Sequence, residues 1–399
     1  MTPYDIVDRI CAAYAAGAIG DAMGAPVEGW ASGPIRDLLA TWDWSQVIPP
    51  QGWDGTSHFW KGDGRITDDT LMGESLMRAY AAAGDHLDAY GWERHLLSDL
   101  MATEVWVPEY QQTMAVFERL WIPEKYPRWR LYGNADPRTA GVGNLVNCGV
   151  AMYAWPVGAV NAGDPYAAYQ EAAALAQAHN ESFAVEAAAV MAAACAAAFI
   201  EGARITDVIA VAADLAQDGT GRAIRAVVAA SDPAQPLHDA LDAMRAAVSP
   251  FDQRTGCSEE DHPLWINGPS DFGRPSRLAS IEELPVALGV LRWGDGDFRR
   301  TLQAGVVYGR DCDSIAGMAM SLWGAMSGTA AICPSLLAEV GRGSRRDLLA
   351  IGQAFAVTCQ ALHSKDAERW QQRAGLWVSR IAVRESLVSV SGSQTGTGV

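Results

Sequence analysis

The chain is short of positive charge. Thirty Lys and Arg stand against 47 Asp and Glu, which leaves a formal net charge of −17. A phosphate-backbone partner needs a basic face, so nucleic acid is not the expected ligand. A small anion stays open, because helix N-termini and bound cations supply local positive potential. Paired cysteines are lacking too. The seven (Cys11, Cys148, Cys195, Cys257, Cys312, Cys333, Cys359) are scattered, odd in number and never spaced as CxxC. That excludes a disulfide framework and reads as reduced, mostly buried thiols of a cytoplasmic protein. The start carries acidic residues and no apolar stretch of signal-peptide type. The alanine-rich run near 184–200 contains Glu186 and ends at Glu201, too polar and too short for a membrane span. No repeat and no clear domain boundary stand out.

What is present is a helical protein. At 399 residues the chain can bury most of its unfolded surface without disulfides or metal. Apolar periodicity and caps predict helices over 4–23, 67–84, 89–102, two within 164–202 broken near His179-Asn180, then 205–217, 220–230 and 236–248. Ser280-Ile281-Glu282-Glu283 reads as an N-cap with an acidic first turn, opening a helix to Leu291. Further helices are expected over 297–308, 314–327, 334–341, 345–363 and 366–383. The segment 30–63, rich in Trp, Pro and Gly, reads as loops and short helices, and 108–138, with four prolines, as irregular. Its tryptophans either fill gaps under loops or wall an aromatic cleft. The Pro/Gly-rich 249–280 is a long connection that could cover a cleft. No strand is expected. The expected class is all-α, one compact multi-helix domain over 1–388 with a disordered Ser/Gly/Thr-rich tail from 389 to 399.

Two short acidic segments carry the chemistry. Gly64-Arg65-Ile66-Thr67-Asp68-Asp69-Thr70 puts a hydroxyl and two carboxylates on consecutive residues at a helix start. Near the far end, Gly309-Arg310-Asp311-Cys312-Asp313-Ser314 does the same. Taken alone, such a segment reads first as a helix cap meeting the dipole and second as a hard-cation site. Two such carboxylate pairs brought together would repel unless a cation lay between them. If the helix starts face each other, Thr67, Asp68, Asp69, Asp311, Asp313 and Ser314 form one oxygen-rich cup suited to one or two Mg²⁺ or Mn²⁺ ions. Cys312 stands between two of these candidate ligands.

Three stretches together resemble the signatures of the ADP-ribosylglycohydrolase family: Gly17-Ala18-Ile19-Gly20-Asp21-Ala22-Met23-Gly24-Ala25-Pro26-Val27-Glu28, Ile66-Thr67-Asp68-Asp69-Thr70, and Gly309-Arg310-Asp311-Cys312-Asp313-Ser314-Ile315-Ala316. Order and spacing agree as well, over roughly residues 5 to 330. The resemblance implies a compact all-α domain and two Mg²⁺ (or Mn²⁺) held by Thr67, Asp68, Asp69, Asp311, Asp313 and Ser314. It implies hydrolysis at C1 of a ribose, with Glu28 assisting directly and Asp69 and Asp313 acting through the metals. Asn147-Cys148-Gly149 and Met152, on a stretch running to Gly158, resemble the family's glycine-rich loop for the diphosphate-ribose, and His179 matches a histidine near the ligand. The family often has Gly at the place of Cys148, and Arg after the Met where this chain has Tyr153. An ADP-ribosylated protein or small molecule is therefore the first substrate class. A different riboside or nucleoside-like metabolite is the second. A catalytically silent ADP-ribose binder is the third, since the family includes lens crystallins without activity.

Overall fold

The computed structural model describes residues 4–51, 61–107, 112–251 and 277–391. Trp53, Trp60, Cys257 and most of the expected cleft-covering connection, with Trp265, Asp271 and Arg274, lie outside these residues. The fold is all-α. In chain order the helices are α1 (Ile6–Gly24), α2 (Ser32–Leu39), α3 (Asp68–Ala83), α4 (Ile122–Tyr132), α5 (Trp155–Val160), α6 (Pro165–Ala176), α7 (Phe183–Ala198), α8 (Ile205–Leu215), α9 (Asp218–Ala230), α10 (Leu237–Val248), α11 (Arg277–Gly294), α12 (Phe298–Tyr308), α13 (Cys312–Ser327), α14 (Pro334–Ser344) and α15 (Leu348–Ser391). A helical segment fills 89–102, with a wide π-helical stretch at Trp92–Leu97.

The axis of the molecule is the pair α1 and α13, packed antiparallel. Small residues set their distance. A Cβ on Gly20 would lie 2.4 Å from the Ala316 carbonyl oxygen, and one on Gly24 would lie 2.5 Å from the Asp313 backbone. Real Cβ atoms do not approach so closely, so these positions admit glycine alone at this spacing. α1 is long and apolar enough to cross a bilayer, yet its apolar window is wholly buried, which accounts for its apolarity without a membrane. The alanine-rich α7 is a buried helix as expected, packed on α5, α6 and α11. Buried residues from α1, α3, α7, α11 and α13 belong to one continuous apolar cluster.

Several boundaries differ from the sequence reading, each for a local reason. The segment 108–138 is ordered where described. Glu104–Val107 (β1) and Gln112–Ala115 (β2) pair antiparallel, and α4 follows. Pro123 occupies the first turn of α4, where no backbone N–H is needed. Pro127 then deprives the Pro123 carbonyl of its helical donor, and Asn144 Nδ2 fills the gap at 2.9 Å. Ser280 is not an N-cap, since α11 begins at Arg277 and buries Glu282 and Glu283. The break expected near 364–365 is absent. No Gly or Pro stands there, and α15 runs unbroken to Ser391, into the segment expected to be a disordered tail. Residues 392–399 lie outside those described.

Candidate active site

The two acidic helix starts meet, and Asp21 is the residue that joins them. Buried on the last turns of α1, it accepts hydrogen bonds from the Thr67 N–H (3.0 Å), the Thr70 N–H (3.2 Å) and the Thr70 hydroxyl. A carboxylate on α1 thereby satisfies the free amides that open α3, as an external cap. Because α1 also lies against the start of α13 through Gly20 and Gly24, the openings of α3 and α13 converge on its end. The loop after α1 is stitched to the same place. Gly29 N–H donates to the Arg310 carbonyl at 2.8 Å, and Arg310 N–H donates to the Trp30 carbonyl at 2.7 Å. That two-bond bridge carries Glu28 to Asp311. Arg310 sits at φ 57° and is held by Glu282, whose second oxygen takes the Tyr308 hydroxyl.

Ligand atoms of Glu28, Asp311 and Asp313 lie within 4.8 Å of one another. Thr67 is the N-cap of α3, and its hydroxyl lies 3.2 Å from Asp69 Oδ2. Asp311, at the N-cap of α13, makes no side-chain capping bond. Capping thus accounts for Thr67 and leaves the carboxylates of Asp311 and Asp313 facing the cup. Asp69 Oδ1 and Asp313 Oδ1 are buried with no hydrogen-bond partner among the described residues. Such orphaned carboxylate oxygens are costly unless a cation meets them. Burial, then Asp313, Asp21, Asp68 and Asp311, hold the Asp69 carboxyl well above the usual range. Burial and Asp313 raise Asp311 to about 7 and Asp21 to about 6. An all-oxygen donor set of this charge fits hard divalent cations. The residues that could hold them are Thr67, Asp68, Asp69, Asp311, Asp313 and Ser314.

Cys148 reaches the cup. Its thiol donates to Asp311 Oδ2 at 2.9 Å and lies 3.4 Å from the Ser314 hydroxyl. Burial and Asp311 keep it protonated, far above the ordinary thiol range. Asn147 faces its own loop. Its Oδ1 accepts from Gly149 N–H at 3.1 Å and from Asn180 Nδ2 at 3.0 Å. Gly149 permits close passage, since a Cβ there would lie 2.9 Å from Asn147 Oδ1 and 3.3 Å from Glu124 Oε1. Met152 lines a small cleft with Tyr14, Asp21, Asp69, Thr70 and Trp155. His179 is fully buried. Its ring stacks on Tyr153 and its Nδ1 pairs with the Tyr153 hydroxyl at 2.8 Å. Burial lowers it to about 3, so the ring is neutral. The side chain expected near the ligand thus packs behind the loop. The His179 carbonyl instead takes Asn144 Nδ2 at 2.8 Å and steadies the loop. Cys312 is a core thiol directed at the Gly24 carbonyl at 3.4 Å.

Three groups at the site escaped the sequence reading. Glu124 and Glu283 are nearly fully buried, each with Oε2 unpartnered among the described residues. Burial first, then Asp68 for Glu124 and Asp311 for Glu283, push both well above the carboxylate range. Lys61 bonds Glu28 and lies 3.8 Å from Asp313 Oδ2. Trp-Ile-Pro-Glu at 121–124 did carry a helix-start signal, Pro then acid in the first turn, within the proline-rich stretch. Of the tryptophans, Trp44 is core, while Trp121 and Trp129 are exposed.

An all-α body in which two acidic helix starts enclose an oxygen-lined cup is the class that fold and site define. The ADP-ribosylglycohydrolase profile matches residues 2–368, and the chain belongs to that family of glycosidases. A solved chain described as an ADP-ribosylglycohydrolase-related protein complex superposes with TM-score 0.55 at 19% identity, covering 89% of this chain and 97% of that one. At that identity the likeness is one of fold. No curated protein sequence matches the chain.

Proposed function

We propose that the protein is a divalent-metal-dependent glycosidase that hydrolyses the bond from ribose C1 of an ADP-ribosylated protein or small molecule. The observation that carries this reading is the convergence of Glu28, Asp311 and Asp313 within 4.8 Å beside the orphaned oxygen of Asp69. Two Mg²⁺ or Mn²⁺ ions, held by Thr67, Asp68, Asp69, Asp311, Asp313 and Ser314, would supply Lewis-acid orientation of the ribose hydroxyls. Asp69 and Asp313 act through that binding. Glu28 takes a proton from the attacking water as the water oxygen bonds to C1. The old C1 bond breaks, and its electron pair leaves with the acceptor. The loop at Asn147–Gly149, with Cys148 and Met152, offers backbone and thiol contacts beside the ribose, and His179 sets its shape from behind. Positioning and charge compensation then supply most of the rate.

One observation favours a second reading, a riboside other than ADP-ribose. Tyr153, at the place where the family often has arginine, is buried against His179 and Trp92, so this position gives the distal part of a ligand no cation. A silent member is disfavoured by the intact acidic set. Six described cysteines are unpaired and five of them buried, which suits a reducing, cytoplasmic setting. Incubation with a panel of ADP-ribosylated and simple ribosylated compounds, with and without chelator, tests the reading. Metal-dependent release of ADP-ribose, lost in an Asp68→Asn, Asp69→Asn double variant, is expected. Activity that survives the double variant, or full activity in chelator, overturns it.

A further inference from the structure

We propose that Lys61 is a built-in counter-cation of the cup, anchored on Glu28, and that its ammonium opposes binding of whichever divalent ion is held at Asp313. The inference rests on the metal-dependent reading above and concerns how this chain tunes it. Among the described residues, the Lys61 ammonium bonds one carboxylate of the Glu28, Asp311 and Asp313 group and lies 3.8 Å from a second. Asp68 and Asp69 attract it from α3, and the Arg119 guanidinium opposes it. Burial works against its charge, and the surrounding carboxylates outweigh burial.

Three carboxylates this close repel one another, and more strongly where water is excluded. Lys61 offsets that repulsion while metal is absent, so the cup is assembled before any ion arrives. The same position makes it an obstacle. A divalent ion held with the help of Asp313 would meet the ammonium, 3.8 Å from that carboxylate, and be repelled by it. A lysine suits this exchange, as a compact charge on a flexible four-carbon stem. Its side chain is 24% exposed, which leaves a way out to solvent. Ammonium and ion are then linked reciprocally, each weakening the other. One ion binds tightly, and the one that must displace Lys61 binds weakly.

Calorimetric titration with Mg²⁺ and Mn²⁺, together with thermal unfolding in chelator, tests this in the full chain for wild type, Lys61→Met, Lys61→Gln and Lys61→Arg. Lys125→Met serves as a charge control, since Lys125 lies near the buried Glu124 but donates to the Glu118 carbonyl. Expected in Lys61→Met is at least tenfold tighter binding of the weaker ion, about 1.4 kcal/mol. Its melting temperature in chelator should fall, and the rise on adding metal should exceed that of wild type. Lys61→Arg should behave as wild type. Lys61→Gln, which keeps a donor for Glu28, should show the same tightening and stands in if the methionine variant does not fold. Unchanged affinity for both ions in the neutral variants overturns the proposal. So does an equal change in Lys125→Met, which would mark a diffuse charge effect. If no form of the protein binds either metal, the metal-dependent reading itself falls.

Discussion

Neutralising Asp311 should stabilise the protein without metal and disable it with metal. Asp311→Asn keeps the shape of the side chain and an oxygen to accept the Cys148 thiol. Burial and the Asp313 charge raise the folded-state carboxyl to about 7, from an ordinary 3.8. A carboxyl raised in this way adds stability below the lower value and loses it as pH rises through the higher one. At pH 8 the charged form therefore strains the fold. A rise from 3.8 to about 7 corresponds to about 4 kcal/mol as an upper figure. An independent figure comes from the two carboxylates within 4.8 Å. Each repels Asp311 by roughly 3.5 kcal/mol at an effective dielectric constant of about 20, before the offset from Lys61 and solvent. A net gain of about 2–4 kcal/mol follows for the variant in chelator. For 399 residues, at about 2.1 cal/mol/K each, that raises the melting temperature by roughly 2–5 °C. Adding Mg²⁺ at about 100 times its Kd stabilises wild type by about 2.7 kcal/mol, and the variant should gain far less. Differential scanning calorimetry at pH 8, with chelator and with Mg²⁺, should thus show the order of stability narrowing or reversing. A variant less stable than wild type in chelator, yet fully responsive to Mg²⁺, would refute the reasoning.

Other parts of the account can be checked separately. Glu28→Gln should lower kcat by about 10²–10³, in the range for loss of a general base, with less than tenfold change in Mg²⁺ affinity; unchanged kcat removes Glu28 from the chemistry. Gly20→Val should cost about 1–3 kcal/mol by overpacking and also blunt the Mg²⁺-induced rise in melting temperature, because its Cβ would press the Ala316 carbonyl at 2.4 Å. Gly33→Ala, with nothing within 4 Å of the added Cβ, should do neither, and equal behaviour of the two variants would discard the close helix contact as the source of the geometry. His86 bridges Glu171 at 2.6 Å and Asp366 at 2.8 Å, tying α15 to α6, and chiefly the Glu171 hydrogen bond raises it to about 9. Raised above its ordinary 6.5, it adds stability that is present below that value and lost as pH climbs through 9. Thermal unfolding from pH 6 to 10 should show wild type losing about 1–2 kcal/mol, after allowance for solvent screening, that His86→Gln does not lose; parallel profiles would exclude the bridge.

The helical class and the two acidic segments were legible in the sequence because both are local. Caps, apolar periodicity and glycine spacing act within a few residues, and α1, α3, α12 and α13 lie close to where that pattern puts them. The meeting of the two segments was conditional in the sequence, since nothing local says that Asp21 caps α3 or that Gly24 lets α13 approach. Proline misled where tertiary contact overrode it: Asn144 relieves the carbonyl that Pro127 orphans, and α4 then brings in Glu124. Glu283 was hidden by a helix start placed four residues late, which made a buried acid look like a solvated first turn. His179 was correctly set at a junction between helices, but its complete burial depends on Tyr153 and Trp92, which no spacing links to it.

The central claim is that the openings of α3 and α13 jointly hold divalent cations. Anomalous diffraction from crystals grown with Mn²⁺ tests it most directly. Strong peaks between Asp69 and the Asp311–Asp313 pair are predicted. Full occupancy of Mn²⁺ elsewhere, with no peak at these carboxylates, would contradict it.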